Sequence, residues 1–472
     1  MTIRGITTNN KLNGRASNLW RIWLSFRLSV VFLCLAGGAN ALAAVQCVNT
    51  TSPGCTVATT FTTIQAAVTA AVPGDLILVG AGAYHETVQV PPTKPGLVLL
   101  GAQAGVDART GRGTPSKESV VSAALSGPLN AGFIVQAPNV IIDGFTIQNA
   151  NDPLNQNDSA IDLKGGATPA NGAKILDNIL QNNGQALSLN FEGSTPVQNV
   201  LVQHNLFRNN NVVSGDGIFT SACQNVTITE NSFSNDPTSA MGINNCSNVT
   251  ITNNTSDSDG TFVIFTGTSN SNFSHNTGKH FAAVTGFPGS GGAAVAIGPG
   301  NLNLTISGND LNGGVGAMNG IRVTTIFGTA IPSQGLNISY NSVQNMSLSG
   351  IVAEPGIMIN SLLLGNQSQS NGGDGIFVAT SNSGNLLTQN SAKGNKGFDC
   401  HDSSLGAGTL GTANTWFANT GNTNSPAGLC TVGNASQGGN QDGNDGNHGK
   451  GNGGIGNGKG NGEGGNDNNG DD

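Results

Sequence analysis

The sequence predicts an all-β protein in which one elongated solenoid is built from stacked coils. A phrase of alternating apolar and polar residues runs from Val226 to Asn231 and returns from Val249 to Asn254. Alternation with a period of two indicates strands, and a repeat of this length indicates stacked coils rather than one central core. The asparagines that close the phrase are mostly 22 to 27 residues apart, at 178, 205, 231, 254, 276, 309, 341, 366 and 390. We interpret this asparagine column as structural, because side-chain amides can pair backbone groups that would otherwise be buried without a partner.

The composition supports coils joined by tight turns and excludes two classes of partner. The chain has 70 glycines and only 9% charged residues, and Gly and Asn tolerate the positive φ that tight turns need. The net charge is −8, and loss of the five basic residues before position 45 would change it to −13. An acidic surface with scattered basic residues is poorly suited to nucleic acid or to an anionic membrane.

The first 44 residues have the pattern of a secretion signal peptide. Five basic residues and no acidic ones precede a short apolar segment, Leu28 to Ala36. The sequence Ala39-Asn40-Ala41 then fits the rule of small residues at a cleavage site. We therefore expect a secreted, extracellular or periplasmic protein without stable membrane insertion after cleavage. An uncleaved anchor is the alternative.

Six cysteines follow this segment, an even number that indicates disulfides in an oxidising compartment. Cys223 and Cys246 occupy the same position in successive copies of the repeat. Stacked strands lie about 4.8 Å apart, which a disulfide can span. Proximity in sequence pairs the other cysteines as Cys47 with Cys55 and Cys400 with Cys430. Metal binding is the rival interpretation, but no Cys-x-x-Cys spacing occurs, so we predict no metal site.

Five segments follow from these patterns. We predict a signal peptide over 1–44, an N-terminal cap with the first coils over 45–136, repeated coils over 137–400, a C-terminal cap over 401–436 and a disordered tail over 437–472. Apolar residues at helical spacing between Thr62 and Val72 predict a capping helix, and the polar loop from Gln103 to Glu118 is expected to project from the body. The Gly/Asn/Asp-rich tail lacks the apolar residue of calcium-binding repeats, so calcium stays possible but unsupported and no cofactor is predicted.

Two motifs carry a resemblance to a known superfamily. One is the opening Thr62 to Val68, followed by Pro73 to Val79 and Gly82 to Glu86, and the other is the Asn-Val-Thr-Ile-x-x-Asn coil phrase. Together they resemble the right-handed parallel β-helix (pectate-lyase-like) superfamily, and above all its secreted "right-handed β-helix region" and NosD-like proteins. The resemblance covers roughly residues 60 to 430. It implies a single-stranded right-handed parallel β-helix of about ten to twelve coils, and it specifies fold more strongly than activity.

The resemblance also implies where chemistry would lie, since enzymes of this superfamily use the outer face of one sheet. The third residue of each Gly-Ile-x phrase predicts the outward row Asp162, Ser188, Phe219, Asn244, Ile264, Ala296, Arg322, Val352, Phe377 and Asp399. This row lacks the neighbouring carboxylates and base of a calcium-dependent lyase and the clustered aspartates of a galacturonase-like hydrolase. Whether the protein is an enzyme is therefore left open, and we predict Phe219, Asn244, Arg322 and Phe377 as binding residues.

One other column carries candidate catalytic residues. The position before the ladder asparagine holds Asp177, His204 and Glu230 in three successive coils, which stack about 4.8 Å apart. An imidazole between two carboxylates is a candidate general acid or base. The alternative is a solvated turn that simply accepts polar residues, which is also how we interpret Asp374, directly before Gly375.

These observations favour a monomeric, non-catalytic extracellular or envelope protein that binds polysaccharide, or a partner of the envelope, along its solenoid surface. A polysaccharide lyase or hydrolase that uses Asp177, His204 and Glu230 is the first alternative. A periplasmic accessory factor of the NosD type is the second, and it would require a metal-handling cluster that the sequence does not contain.

Overall fold

The structure is a computed structural model that describes residues 43–52, 55–112, 114–123, 131–150, 159–190, 195–210, 215–282, 292–329 and 331–432. The proposed signal peptide lies almost entirely outside these residues, and the proposed tail lies wholly outside them. In the described part of the chain, no helix is long and apolar enough to cross a membrane.

The coils form a right-handed parallel β-helix with three parallel sheets, here called A, B and C. Sheet A consists of Val45–Val48, Thr60–Phe61, Leu76–Val79, Val98–Leu100, Ile141–Asp143, Lys174–Leu176, Val197–Gln198, Leu201–Gln203, Cys223–Gln224, Thr227–Thr229, Cys246–Ser247, Thr250–Thr252, Ser269–Ser274, Leu302–Ser307, Ser333–Gln334, Asn337–Ser339, Met358–Ile359, Leu362–Leu364, Leu386–Thr388 and Thr415–Phe417. Sheet B consists of Gly82–His85, Ser119–Ser122, Phe145–Gln148, Ile179–Gln181, Leu206–Arg208, Ser232–Ser234, Thr255–Asp257, Thr277–Ala282, Asp310–Val315, Ser342–Met346, Gln367–Gln369 and Ser391–Lys393.

Sheet C closes each coil and consists of Val88–Val90, Phe133–Val135, Ser159–Leu163, Gln185–Leu189, Asp216–Thr220, Ser239–Asn244, Val263–Thr266, Ala293–Ile297, Asn319–Val323, Ile351–Ala353, Ile376–Val378, Cys400–Asp402 and Asn424–Ser425. Short 3-10 helices lie at Val57–Thr59, Pro115–Lys117 and Thr409–Gly411. The coils continue past residue 400, because Thr415–Phe417 pairs with Leu386–Thr388 and Asn424–Ser425 pairs with Cys400–His401.

An α-helix over Ile64–Ala70 covers the first coil. Its backbone N–H groups at Ile64 and Gln65 donate to the two carboxylate oxygens of Glu86 at 2.9 Å, so a negative charge lies where the helix N-terminus favours one. The helix is shorter than the predicted Thr62 to Val72. It ends before Ala71, whose backbone is extended.

The interior is a narrow stack of apolar rows, because inward residues of successive coils lie directly above one another. Val226, Ile228 and Phe233 are at most 1% exposed, and the rings of Phe207 and Phe233 stack with centroids 4.6 Å apart. The apolar residues of the predicted alternation thus point inward, and the polar residues between them point outward, as side chains in strands do.

The asparagine column forms a continuous ladder at the turn between sheets A and B. Asn231 is typical: its backbone N–H and its side-chain amide both donate to Asn254 Oδ1, at 2.9 and 3.0 Å. The ladder passes through every asparagine of the predicted column and continues to Asn419. The column is therefore structural, as predicted, and it pairs backbone groups that the coil would otherwise bury without a partner.

The three predicted disulfides are present, linking Cys47 to Cys55, Cys223 to Cys246 and Cys400 to Cys430. Cys223 and Cys246 face each other in adjacent strands of sheet A with their Cα atoms 4.5 Å apart. The repeat alone identified this pair.

Candidate functional site

Asp177, His204 and Glu230 lie together on the turn between sheets A and B, as the repeat predicted. His204 Nε2 lies 2.8 Å from Glu230 Oε2, and its Nδ1 lies 3.4 Å from Asp177 Oδ1. All three residues have φ between 51° and 58°. In this turn, the residue directly before the ladder asparagine has its backbone in the left-handed region. Residues other than Gly and Asn rarely adopt that region. The same turn therefore stacks the three side chains.

The loop from Gln103 to Glu118 folds over this column, whereas the sequence predicted that it projects from the body. The backbone N–H of Ala108 donates to the carbonyl of His204 at 3.2 Å. The Arg112 guanidinium bonds the carbonyl of Asp177 and pairs with Glu118, and these two side chains are only 2% and 4% exposed. The prediction failed because a buried pair within the loop satisfies charges that looked exposed in the sequence.

Arg109 and Asp107 bring a second ion pair to the column, with an N–O distance of 2.7 Å. The hydrogen bond to Asp107 raises the pKa of Arg109, whose charge also acts on Glu230 and Asp177. Burial tends to raise the pKa of Asp107, but the hydrogen bonds from Arg109 outweigh burial and the pKa is lowered. A hydrogen bond from Gln203, with a further one from His204, holds the pKa of Glu230 below its ordinary value.

This turn cluster, defined as Asp107, Arg109, Asp177, His204 and Glu230, therefore groups three carboxyl side chains around one imidazole and one guanidinium. The Glu230 side chain is 40% exposed and the His204 side chain 21%, so solutes reach the cluster from solvent. These side chains are suited to proton transfer at His204 or to binding of an anionic group by Arg109.

A groove of about 570 Å³ lies on the outer face of sheet B, beside the same loop. Its apolar lining includes Ala83, Val120 and Ile179, and Pro115 lines it from the loop. Its full lining is Ala81, Gly82, Ala83, Pro115, Ser116, Glu118, Val120, Thr146, Gln148, Ile179, Gln181 and Arg208. The loop thus covers the turn cluster and also contributes to the groove.

A row of hydrogen-bonded polar side chains runs along this groove. Gln181 Nε2 donates to Gln148 Oε1 at 2.8 Å, and Arg208 Nε donates to Gln181 Oε1 at 2.9 Å. Sequence reasoning missed this row, although Gln181 and Arg208 each lie three residues after a ladder asparagine. That spacing is the signal that would have identified them.

The outward row of sheet C contains Phe219, Arg322 and Phe377, as predicted, but two of its proposed members are wrong. The strand register pairs Phe219 with Gly242 and Phe377 with His401. Gly242 therefore takes the place proposed for Asn244, and His401 takes the place proposed for Asp399. The error arose because Gly242-Ile243 resembles the Gly-Ile phrase but lies two residues further along its strand. Asn244 lies outside the row and its amide donates to the Thr220 carbonyl at 2.9 Å. Asp399 precedes its strand and is 2% exposed.

The middle of this row is covered rather than presented to solvent. Ile264 and Ala296 are buried on the outer face, where Phe327 packs against them. Arg322 Nε donates to Glu354 Oε1 at 2.8 Å. Burial tends to raise the pKa of Glu354, but hydrogen bonds from Thr324 and from the Thr325 backbone, with Arg322, lower it. Sheet C therefore offers separate stretches of outer surface on either side of a covered centre.

The coils, the three parallel sheets and the asparagine ladder define a right-handed parallel β-helix. Residues 203–404 match the family described as right handed beta helix region, and residues 116–280 match the family described as periplasmic copper-binding protein (NosD). The chain has the right-handed parallel β-helix fold, and it is similar to these two families over the matched residues. No curated protein matches its sequence.

Solved structures with the same fold include the PL6 family alginate lyase AlyGC, at 14% identity and a TM-score of 0.50 over 78% of this chain and 52% of the other. The Azotobacter vinelandii mannuronan C-5 epimerase AlgE6 A-module matches at 14% identity and a TM-score of 0.46, over 76% and 89% of the two chains. A Yersinia enterocolitica family 28 exopolygalacturonase matches at 11% identity and 0.45, over 81% and 79%. At these identities the likeness concerns the fold alone.

The described residues do not fit a copper site. Copper favours His, Cys and Met ligands, yet the six cysteines in the described ranges are joined in disulfides. Nowhere in those ranges do three or more His, Cys, Asp or Glu side chains come together as a metal site. We therefore derive no metal chemistry for this chain.

Proposed function

We propose that the protein binds a polysaccharide outside the cytoplasm, with the sugar chain lying in the groove of sheet B. The observation that carries the proposal is the pairing of an apolar lining at Val120 and Ile179 with the polar row Gln148, Gln181 and Arg208. Ligand sites combine apolar surface with a few fixed polar groups, and sugar rings present apolar faces with hydroxyl edges. Each glutamine amide offers both donors and acceptors for those hydroxyls.

The repetition of the row supports a polymer rather than a small sugar. Beyond Arg208 the same register position of sheet B is polar in every coil, with Ser234, Asp257, Lys279, Asn312, Gln344, Gln369 and Lys393. Successive positions lie about 4.8 Å apart, so a long chain meets the same kind of contact repeatedly. Three disulfides and the signal-like first 44 residues support a site outside the cytoplasm.

The test measures affinity for a panel of neutral and uronate-containing polysaccharides, by calorimetry on the secreted, disulfide-intact protein. We expect one class to bind, and we expect Gln181→Ala and Arg208→Ala each to weaken binding at least about tenfold, since each removes a side chain that would hydrogen-bond the sugar hydroxyls. Asn225→Ala is the matched control, because it also loses a side-chain amide bonded to the neighbouring coil, at Asn199, but it follows a strand of sheet A and lies outside the row. Equal affinity in all variants, or no binding to any polysaccharide, would overturn the proposal.

A second candidate is cleavage of a polysaccharide at the turn cluster, favoured by the contact of His204 with Glu230 beside Arg109. New reducing ends or unsaturated products would be followed with the same panel. We expect any cleavage to fall at least about 100-fold in Glu230→Gln, because general acid–base catalysis contributes that much. Cleavage that persists in both Glu230→Gln and His204→Gln would exclude the cluster as its site.

A further inference from the structure

We propose that Asp374, His401 and Ser403 form a nucleophilic triad that hydrolyses short-chain carboxylic esters. His401 Nδ1 lies 2.9 Å from Asp374 Oδ2, and His401 Nε2 lies 3.1 Å from Ser403 Oγ. Carboxylate, imidazole and hydroxyl are thus joined in the order and through the ring atoms that acyl transfer by serine requires. The triad lies near the C-terminal end of sheet C, on different coils from the turn cluster and the groove.

The hydrogen bonds define how the triad holds its protons. The ionised Asp374 carboxylate can only accept, so the Nδ1–H of His401 donates to it. In that neutral tautomer Nε2 carries the lone pair, and the hydroxyl of Ser403 donates to it. This is the ground state in which an imidazole can remove the serine proton.

The carboxylate and the ring are held in place by groups that take no part in the chemistry. The other oxygen of Asp374 accepts the backbone N–H of Phe398 at 2.7 Å. The ring of Phe377 stacks on His401 with centroids 4.5 Å apart, and the ring of Phe398 packs edge-on at 5.1 Å. These contacts fix the imidazole plane, so little ordering remains to be done during reaction.

The strand that bears His401 is anchored on its inner side. Cys400 is joined to Cys430, and Asp402 Oδ2 accepts from the indole N–H of Trp416 at 2.8 Å. Since side chains alternate along a strand, the inward Cys400 and Asp402 direct His401 and Ser403 outward. The rigid solenoid therefore supports the two groups whose separation matters most.

The position of the triad indicates the kind of ester. The His401 side chain is 22% exposed and that of Asp374 17%, while Ser403 is half-buried. Phe398 adds apolar surface, being 41% exposed. The groups lie on an outer face, which suits a small acyl group carried on a larger molecule.

The reaction balances without a cofactor. Ser403 Oγ bonds to the ester carbonyl carbon while its proton moves to His401 Nε2. The bond from that carbon to the alcohol oxygen then breaks, and His401 returns the proton to the departing alkoxide. Water attacks the acyl-serine with His401 taking its proton, the carboxylic acid leaves, and Ser403 regains its hydrogen. Asp374 stays ionised and stabilises the imidazolium.

The test follows hydrolysis of p-nitrophenyl acetate and of an O-acetylated polysaccharide, together with labelling by a fluorophosphonate probe located by mass spectrometry. We expect the label on Ser403 and a loss of activity of at least about 100-fold in Ser403→Ala. Asp374→Asn should lower activity at least about tenfold while the labelled residue stays the same. Ser425→Ala is the matched control, because Ser425 lies next to His401 across the same face.

Circular dichroism and thermal melting establish that each variant is folded before its activity is compared. Hydrolysis that is unchanged in folded Ser403→Ala would overturn the proposal, as would the absence of a label on Ser403 in the unaltered protein. Binding of polysaccharide by the groove is measured separately and does not enter either outcome.

Discussion

Asp236 donates its backbone N–H to Oδ1 of Asp259 at 2.8 Å, in a ladder where the preceding coils use asparagine. This second ladder lies at the other end of the sheet B strands and begins with Asn183 and Asn210. Both aspartates are fully buried, and Asp236 Oδ2 has no hydrogen-bond partner among the described residues. The second ladder therefore places two acids where neutral amides would be fully paired.

The two acids make stability depend on pH. Burial raises the pKa of Asp259 to about 7, and burial together with the charge of Asp259 raises the pKa of Asp236 well above its ordinary value. An unfolded aspartate titrates near about 4, so the folded chain retains these protons at a pH where the unfolded chain has lost them. Their contribution to stability is complete below about pH 4. The contribution of Asp259 is lost as the pH rises from about 4 to about 7, and that of Asp236 is lost as the pH rises through its own raised pKa.

We predict that Asp236→Asn raises the free energy of unfolding at pH 8 by about 1–3 kcal/mol, because it removes a buried group without a partner. The new amide can donate to Asp259 Oδ1 as ladder asparagines do, and the gain should shrink at pH 5. Urea unfolding at both values checks this. Asp257→Asn is the control, since Asp257 is exposed and paired with Lys279. The same change at pH 5 and pH 8 would contradict the account.

The asparagine ladder predicts a large cost for one central substitution. Asn254→Ala removes the acceptor for the backbone N–H of Asn231 and the amide that donates to Ile228 and Asn276. We expect a loss of at least about 2 kcal/mol in the free energy of unfolding, since buried groups lose their partners. Asn312→Ala is the control, because it loses only an exposed side-chain hydrogen bond from Asn345. Its free energy of unfolding, measured with denaturant, should change by less than about 0.5 kcal/mol.

The loop that lines the groove should depend on Arg112. Arg112→Met leaves Glu118 buried without its cation, which costs about 3–5 kcal/mol. We expect local release of the loop and rapid trypsin cleavage after Lys117. Arg109→Met, which breaks an ion pair near the surface, should cost at most about 1 kcal/mol. If Arg112→Met resists trypsin as well as the unaltered protein does, the ion pair does not hold the loop.

His204 should matter little to stability, unlike the ladder beside it. His204→Gln places at this turn a residue type that Gln389 already occupies in a later coil, at φ of 56°. The histidine contacts a half-exposed glutamate, so we expect a change within about 1 kcal/mol in thermal or denaturant unfolding. A larger loss would identify the turn cluster as part of the structural framework.

The sequence predicted the coils, the asparagine ladder and the disulfide between Cys223 and Cys246 because each repeats with the coil and is therefore visible as a spacing, whereas proximity in sequence paired the other four cysteines. It also placed Asp177, His204 and Glu230 on one turn by the same spacing. It missed the contacts that cross between segments, such as Arg112 with Asp177 and His401 with Asp374. Those contacts depend on how loops fold back, and no period records that.

The same ladder has a consequence for the length of the molecule. Each ladder asparagine bonds its own coil and the coils directly before and after it, so a whole coil can be lost or duplicated while the remaining bonds keep their geometry. A change of one residue within a strand, in contrast, would turn inward side chains outward. The length of the solenoid can therefore change only in steps of one whole coil. Any outer surface that spans several coils lengthens or shortens by the same fixed step.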